Sequence, residues 1–262
     1  MGRFLIVSKA ERLDEHRKIA EEYGVGFEIN DFYDPDILDD QEKQQSLIEQ
    51  YRETGLLADS TMHGAFFDVV VFSQDEKIRR VSELRMEQSM EIARKLGVKG
   101  VVFHTNCNPM LSAVEYDQHM IELTCLFLER LLKRYSDIQI YMENMFDADP
   151  EVLLKISERM HLFENYGVCL DYAHASISKT EVGVWVEKLA PYVKHLHIND
   201  NDLKKDLHLA VGTGQIDWRQ FVEYYKNYFT ECSVLIETNM PDLQRASLEF
   251  LKQNFDGLID GM

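Results

Sequence analysis

The chain is short of several residue types, and each shortage removes a class of protein. Its 262 residues include 5 prolines and 13 glycines, scattered rather than clustered, so no linker, low-complexity tract or short repeat divides it. Four cysteines occur, at 107, 125, 169 and 232, without Cys-x-x-Cys spacing. That disfavours a disulfide framework and points to reduced thiols, with Cys125 and Cys169 in apolar contexts, and to a cytoplasmic location. Basic residues are outnumbered: 28 Lys and Arg face 46 Asp and Glu, a formal net charge of −18. A nucleic-acid partner usually needs a basic face, although bound divalent ions would supply local positive charge. No apolar run approaches the roughly 18 residues that cross a bilayer. The opening MGRFLIVSK is too short for a signal peptide and reads as a first strand. Glycine is missing from VSKAERL, where a dinucleotide-binding sheet would place its phosphate loop. Gly212-Thr213-Gly214 follows no strand directly and reads as a turn.

What is present is a rhythm. Short continuous apolar runs occur at 3–7, 26–30, 60–64, 99–104, 138–143, 167–171, 193–198 and 233–237, as expected of parallel strands buried on both faces. The third is placed by the rhythm alone. Between them, 75–96 carries Ile78, Val81, Leu84, Ile92 and Leu96 at helical spacing, and 113–134 carries Val114, Ile121, Cys125, Leu128 and Leu132. Capping boxes are expected at Ser8/Glu11, Ser73/Glu76, Ser112/Glu115 and Ser178/Glu181, with Asp149-Pro150 and Pro241 as further helix openings. Eight strands alternating with helices predict a (β/α)8 TIM barrel over residues 1–262, ahead of a doubly wound sheet.

Metal-type residues sit at or just past the strand ends: His63, His104, Glu143, Asp171 with His174, His197, Asp206 with His208, and Glu237. Strand C-termini converge on one mouth in such a barrel, and these side chains suit zinc or manganese. Each has a plainer reading. A lone His63 or His104 is more often structural, and Asp206 with His208 fits a salt-linked loop. A carboxylate at a buried strand end, by contrast, needs a strong partner. His195 shares a face with His197 and should lie deeper. His16, His119 and His161 read as solvated, Asp31–Asp40 as a solvated loop and partial lid, and Tyr224, Tyr225, Tyr228 and Phe229 as helix packing.

At these motifs the chain resembles the xylose isomerase-like TIM barrels, which include sugar isomerases and epimerases and the endonuclease IV group. Glu143-Asn144, CLDYAHA, His197 through Gly214, and Ile216-Asp217-Trp218 carry the resemblance. In the epimerase branch it implies one divalent ion (zinc or manganese, with magnesium or cobalt as alternatives) on Glu143, Asp171, His197 and Glu237. In the nuclease branch it implies three zinc ions on those four plus His63, His104, His174, Asp206 and His208.

The first expectation is an isomerase or epimerase of a free or phosphorylated sugar, with Glu143 and Glu237 as acid and base beside a polarised carbonyl. His174, His63, His104, His208, Phe66 and Asn106 would meet the substrate. Phe66 and Phe67 would wall the pocket, and Lys204 and Lys205 could meet a phosphate. The alternative is a zinc-dependent nuclease of abasic DNA; Asp68 beside the two phenylalanines suits DNA poorly. A non-catalytic sugar-binding barrel is the third reading. A homo-oligomer suits either enzyme, with no interface legible.

Overall fold

The computed structural model describes residues 4–111 and 114–255. Its strands are β1 (Phe4–Ser8), β2 (Gly26–Ile29), β3 (Thr61–His63), β4 (Gly100–His104), β5 (Gln139–Glu143), β6 (Tyr166–Asp171), β7 (Val193–Ile198) and β8 (Ser233–Ile236). Each runs parallel to its neighbours in chain order, and β8 closes on β1. The expected (β/α)8 barrel is the fold, and each expected strand lies within one residue of the observed bounds; Arg3 is outside the described residues. The helices are α1 (Leu13–Tyr23), α2 (Pro35–Leu38), α3 (Gln41–Glu53), α4 (Glu76–Leu96) and α5 (Val114–Arg134). There follow α6 (Glu151–Met160), α7 (Tyr172–Ile177), α8 (Val182–Leu189), α9 (Trp218–Tyr224) and α10 (Pro241–Asn254).

Strand alternation divides the core into two regions. Outward residues such as Ile6, Phe27, Met62, Phe103, Met142, Leu170, Leu196 and Ile236 join the large core shared with the helices. Separate small clusters, Leu5 with Val7 and Leu235, and Val102 with Tyr141 and Cys169, fill the barrel. The β6–β7 register shifts at Val168/Cys169, which sets Cys169 opposite His195 and Asp171 opposite His197.

Several expectations need correction. Ile78, Val81 and Leu84 are about half exposed, because α4 turns Ser82, Met86, Ser89 and Met90 inward instead. The two serines are inside because the loop after β3 needs acceptors: Ser82 Oγ takes the Val70 N–H and Ser89 Oγ the Ala65 N–H. Likewise Val114 at the head of α5 is exposed, whereas Ile121, Cys125, Leu128 and Leu132 are buried.

The capping boxes also fall elsewhere. Ser8 lies within β1, and its hydroxyl donates to the Glu28 carbonyl. Asp75, closer than Ser73, caps α4 by accepting from the Lys77 N–H. Ser178 ends α7 and accepts from Trp185 Nε1, and Glu181 stands at the start of α8 without a side-chain bond. Ser112 lies outside the described residues. Asp149 does accept from the Glu151 N–H ahead of α6, and Pro241 opens α10.

His16 is not solvated; it is fully buried with Nδ1 2.9 Å from Gln244 Oε1, because α1 packs on α10 there. His119 is half-buried, and His161 is exposed as expected. The acidic run 31–40 is ordered by α2 and by buried Phe32 and Leu38. Tyr225 and Phe229 are core, and Tyr228 is exposed. Among the described residues no helix is long and apolar enough to cross a membrane.

Candidate metal centre

The last inward residue of each later strand, or the residue just past it, faces the mouth. Two positions earlier each strand contributes to the layer below. His63 sits above Thr61, His104 above Val102, Glu143 above Tyr141, Asp171 above Cys169, His197 above His195 and Glu237 above Leu235. The period of two in the strand backbone therefore builds the site and its floor together.

The nine expected ligand residues gather into three groups, two of which share Glu143. The first holds His63, His104 and Glu143; His104 Nε2 and His63 Nε2 lie 3.3 and 3.6 Å from Glu143 Oε2. The second holds Glu143, Asp171, His197 and Glu237; His197 Nδ1 is 3.2 Å from Glu143 Oε1 and 3.5 Å from Glu237 Oε1. The third holds His174, Asp206 and His208; Asp206 Oδ2 is 3.4 Å from His174 Nε2 and 2.9 Å from His208 Nε2. His174 Nδ1 lies 3.3 Å from Asp171 Oδ2, which sets the third group beside the second. The two oxygens of Glu143 thus face different groups.

The third group depends on the loop after β7. Asp200, fully buried, accepts from the N–H of Gly212 and Ile216 and from Trp218 Nε1. Gly214 is required there, since a Cβ would stand 2.3 Å from the Asn201 carbonyl oxygen. These contacts make the turn at 212–214 and hold Asp206 and His208 over the mouth. His208 itself has a φ of +47°, a left-handed backbone that non-glycine residues seldom adopt. Its Nδ1 meets the Glu237 carbonyl at 2.9 Å.

The residues fit a group of divalent cations. Glu143 Oε1 and Oε2, Asp171 Oδ2, His174 Nε2, His197 Nδ1 and Asp206 Oδ1 are buried without a well-formed hydrogen bond, an arrangement that buried polar atoms rarely tolerate unless something else binds them. Proton occupancy tells the same story. Burial, then Glu237 and Glu143, hold the Asp171 carboxyl well above the usual range despite His174. Burial pushes Glu237 up, but His197 and His208 outweigh it and bring it down to about 2. Burial lowers His208, yet Glu237 and Asp206 raise it to about 10. So many carboxylates this close need positive charge between them.

A cavity of about 330 Å³ opens onto this centre. His63, His104, His174, Asp206, His208 and Glu237 line it, with Tyr33, Phe66 and Phe67 forming an aromatic wall next to His63 and His104. Phe66 packs against both His63 and His104, with ring centroids 4.9 and 5.1 Å apart. Lys9, Asn30, Met145 and Asn239 complete the lining. Asn106 does not line it; its amide donates to the Phe66 and Val69 carbonyls and so shapes the wall. Lys204 and Lys205 are also outside the lining.

The cavity-lining Lys9, Asn30, Tyr33, Met145 and Asn239 escaped the sequence reading, and so did two buried carboxylates. Glu28 on β2 is 1% exposed and lies 3.1 Å from both His195 Nε2 and His197 Nε2. Its only signal was a charge inside the apolar run GFEIN. Asp147, buried and bonded to the Thr105 hydroxyl and the Met145 N–H, supports the loop after β5. His195 is deep and satisfied, as expected, between Glu28 and Ser233.

Fold and site together define a closed parallel barrel with a carboxylate–imidazole cluster at its mouth. The xylose isomerase-like TIM barrel family profile matches residues 11–254, and the chain belongs to that family. An uncharacterised Methanocaldococcus jannaschii protein is 27% identical over 210 residues, 76% of this chain and 75% of that one. A probable endonuclease 4 of Halorhodospira halophila is 25% identical over 178 residues, 60% of each. Among solved structures, a Thermus thermophilus protein soaked with zinc chloride superposes with a TM-score of 0.77 at 25% identity, covering 95% of this chain and 96% of that one. A D-tagatose 3-epimerase-like protein gives 0.76 at 23% identity over 96% of each. Endonuclease IV of Thermus thermophilus gives 0.65 at 18% identity, over 96% of this chain and 97% of that one.

Proposed function

We propose that this chain is a metal-dependent hydrolase of a phosphate ester, with zinc as the expected ion. The observation that carries this reading is the three ligand groups gathered around Glu143 and Asp171. A one-ion epimerase has no need of His63 with His104, or of Asp206 with His208, as metal ligands. Charge favours the same reading. Three divalent ions on Glu143, Asp171, Asp206 and Glu237 carry six positive charges against four negative (+6 − 4 = +2). One ion on Glu143, Asp171 and Glu237 gives +2 − 3 = −1. The first balance attracts a phosphate; the second suits an uncharged sugar.

Ions held by these residues would supply Lewis acidity, charge neutralisation and activation of water. The chain's own residues do the rest. Glu237 lines the cavity and can accept a hydrogen bond from the attacking water. Tyr33, Phe66 and Phe67 exclude bulk water and face the organic part of the ester. Lys9 is the lysine of the lining and can meet a phosphate oxygen. Water forms a bond to phosphorus as the bond to the ester oxygen breaks, and the proton that the water gives up to Glu237 passes to the departing oxygen. A cavity of about 330 Å³ suits a sugar-phosphate or nucleotide-sized substrate, and the net charge of −18 weighs against a long duplex.

The second reading is the sugar isomerase or epimerase, with Glu143 and Glu237 moving the proton. The small aromatic-walled cavity and the fold shared with epimerases favour it. The test is metal content per chain, followed by product analysis on sugar phosphates, ketoses and an abasic duplex. Two to three ions with EDTA-sensitive phosphate release is the expected result. One ion with epimer formation and no phosphate release overturns the hydrolase. Nicking of the abasic duplex in preference to small esters would instead assign a DNA substrate.

A further inference from the structure

The floor beneath the central ligand group contains a buried polar relay that the proposed chemistry does not use. Glu28 is its hub. Its Oε2 accepts from the Thr61 hydroxyl at 2.6 Å and lies 3.1 Å from His195 Nε2. Its Oε1 lies 3.1 Å from His197 Nε2, an ion-pair distance without hydrogen-bond alignment. His195 Nδ1 in turn meets the Ser233 hydroxyl at 2.7 Å, and the His195 ring stacks on Tyr141 with centroids 5.2 Å apart. All of these groups lie inside the barrel, where an isolated carboxylate would be costly.

We propose that Glu28 is a positioning residue that fixes the proton of His197 on Nε2 and so frees Nδ1 as a metal ligand. His197 Nδ1 is the nitrogen that faces Glu143 and Glu237. It can coordinate only through a free lone pair, so the proton of a neutral ring must sit on Nε2, against Glu28 Oε1. The relay is consistent at every member. Thr61 donates its hydroxyl proton, His195 donates from Nε2, and Ser233 donates to His195 Nδ1. Glu28 is therefore held by two hydrogen bonds from other strands, from Thr61 of β3 and His195 of β7, which leave its other oxygen 3.1 Å from His197 Nε2. A carboxylate behind a metal-binding imidazole also raises the ring's basicity, and removing such a partner typically costs about 10–100-fold in affinity.

The inference rests on the metal-centre reading, and the experiment separates the two. Zinc alone is titrated into wild type and Glu28→Gln against a chromophoric chelator, and thermal unfolding of each is followed without zinc. Zinc affinity about 10–100-fold weaker in Glu28→Gln, with its fold intact, is the expected result. Wild-type affinity and stoichiometry in Glu28→Gln overturn the positioning role alone. A wild-type chain that takes up no zinc overturns the metal centre and this role with it. Should Glu28→Gln fail to fold, nitrogen-15 spectra of unmutated, zinc-loaded protein decide. A proton on His197 Nε2 with zinc on Nδ1 supports the assignment, and zinc on Nε2 overturns it.

Discussion

Asn144 and Asp171 grip each other across the ends of β5 and β6. The Asn144 amide donates to the Asp171 carbonyl oxygen at 2.9 Å, and the Asp171 N–H donates to Asn144 Oδ1 at 2.9 Å. The Asn144 carbonyl meets His174 Nδ1 at 3.0 Å, and Asp171 Oδ1 accepts from the His174 N–H at 2.7 Å. One asparagine thus orients candidate ligand residues of two groups. Asn144→Ala should lose about 1–3 kcal/mol of stability, because it leaves the Asp171 backbone groups buried and unpaired. It should also weaken zinc uptake about tenfold. Urea denaturation and chelator competition measure the two effects.

Zinc should stabilise the fold strongly. Ligand that binds only the folded state adds about 2.7 kcal/mol per site at a hundredfold excess over its dissociation constant. The melting temperature should therefore rise with added zinc and fall with EDTA. Curves that superpose under both conditions would refute a metal centre.

The third ligand group should be separable from the others. Asp206→Asn removes one carboxylate from the His174–Asp206–His208 group and leaves Glu143 untouched. Bound metal should fall by one ion per chain, with hydrolysis reduced by about tenfold or more, as for other metal-site partners. Undiminished hydrolysis with one ion fewer would refute a part for the third group in the reaction.

The aromatic wall should act on substrate rather than on metal. Phe66→Ala enlarges the cavity beside His63 and His104 without removing a ligand. KM should rise severalfold while metal content stays unchanged. A loss of ions would show that Phe66 acts by orienting the imidazoles.

His16 should make stability depend on pH. Burial lowers its pKa below 6.5 and outweighs the hydrogen bond to Gln244. As pH falls through 6.5 the unfolded chain takes up a proton that the folded chain resists, so the folded state loses stability on acidification. One such group changes stability by at most about 1.4 kcal/mol per pH unit. His16→Gln should be less stable than wild type at pH 7, and the gap should narrow toward pH 5.

The sequence carried the barrel because its strands are short apolar runs ended by titratable residues, and both signals recur at one spacing. The strand that carries His63, the shortest, was placed by rhythm alone and lies where the rhythm put it. Helix faces were less legible. Ile78, Val81 and Leu84 matched helical spacing as well as the true inner face does, and only the need of Val70 and Ala65 for acceptors explains why serines point inward. Glu28 escaped because one charge in a four-residue strand resembles a surface position until closure of the barrel encloses it. The grouping of ligands into three sets is a property of space, and spacing along the chain does not contain it.

Strand order around the barrel repeats strand order along the chain, and this sets a timetable for the growing polypeptide. His63, His104 and Glu143 have all left the ribosome well before β8 is made, so their group can form on an unfinished chain. The central group cannot, because Glu237 follows β8, the strand that also seals the cylinder against β1. Metal held across the central group would therefore require β8 to be in place, whereas the first group needs only the strands up to β5.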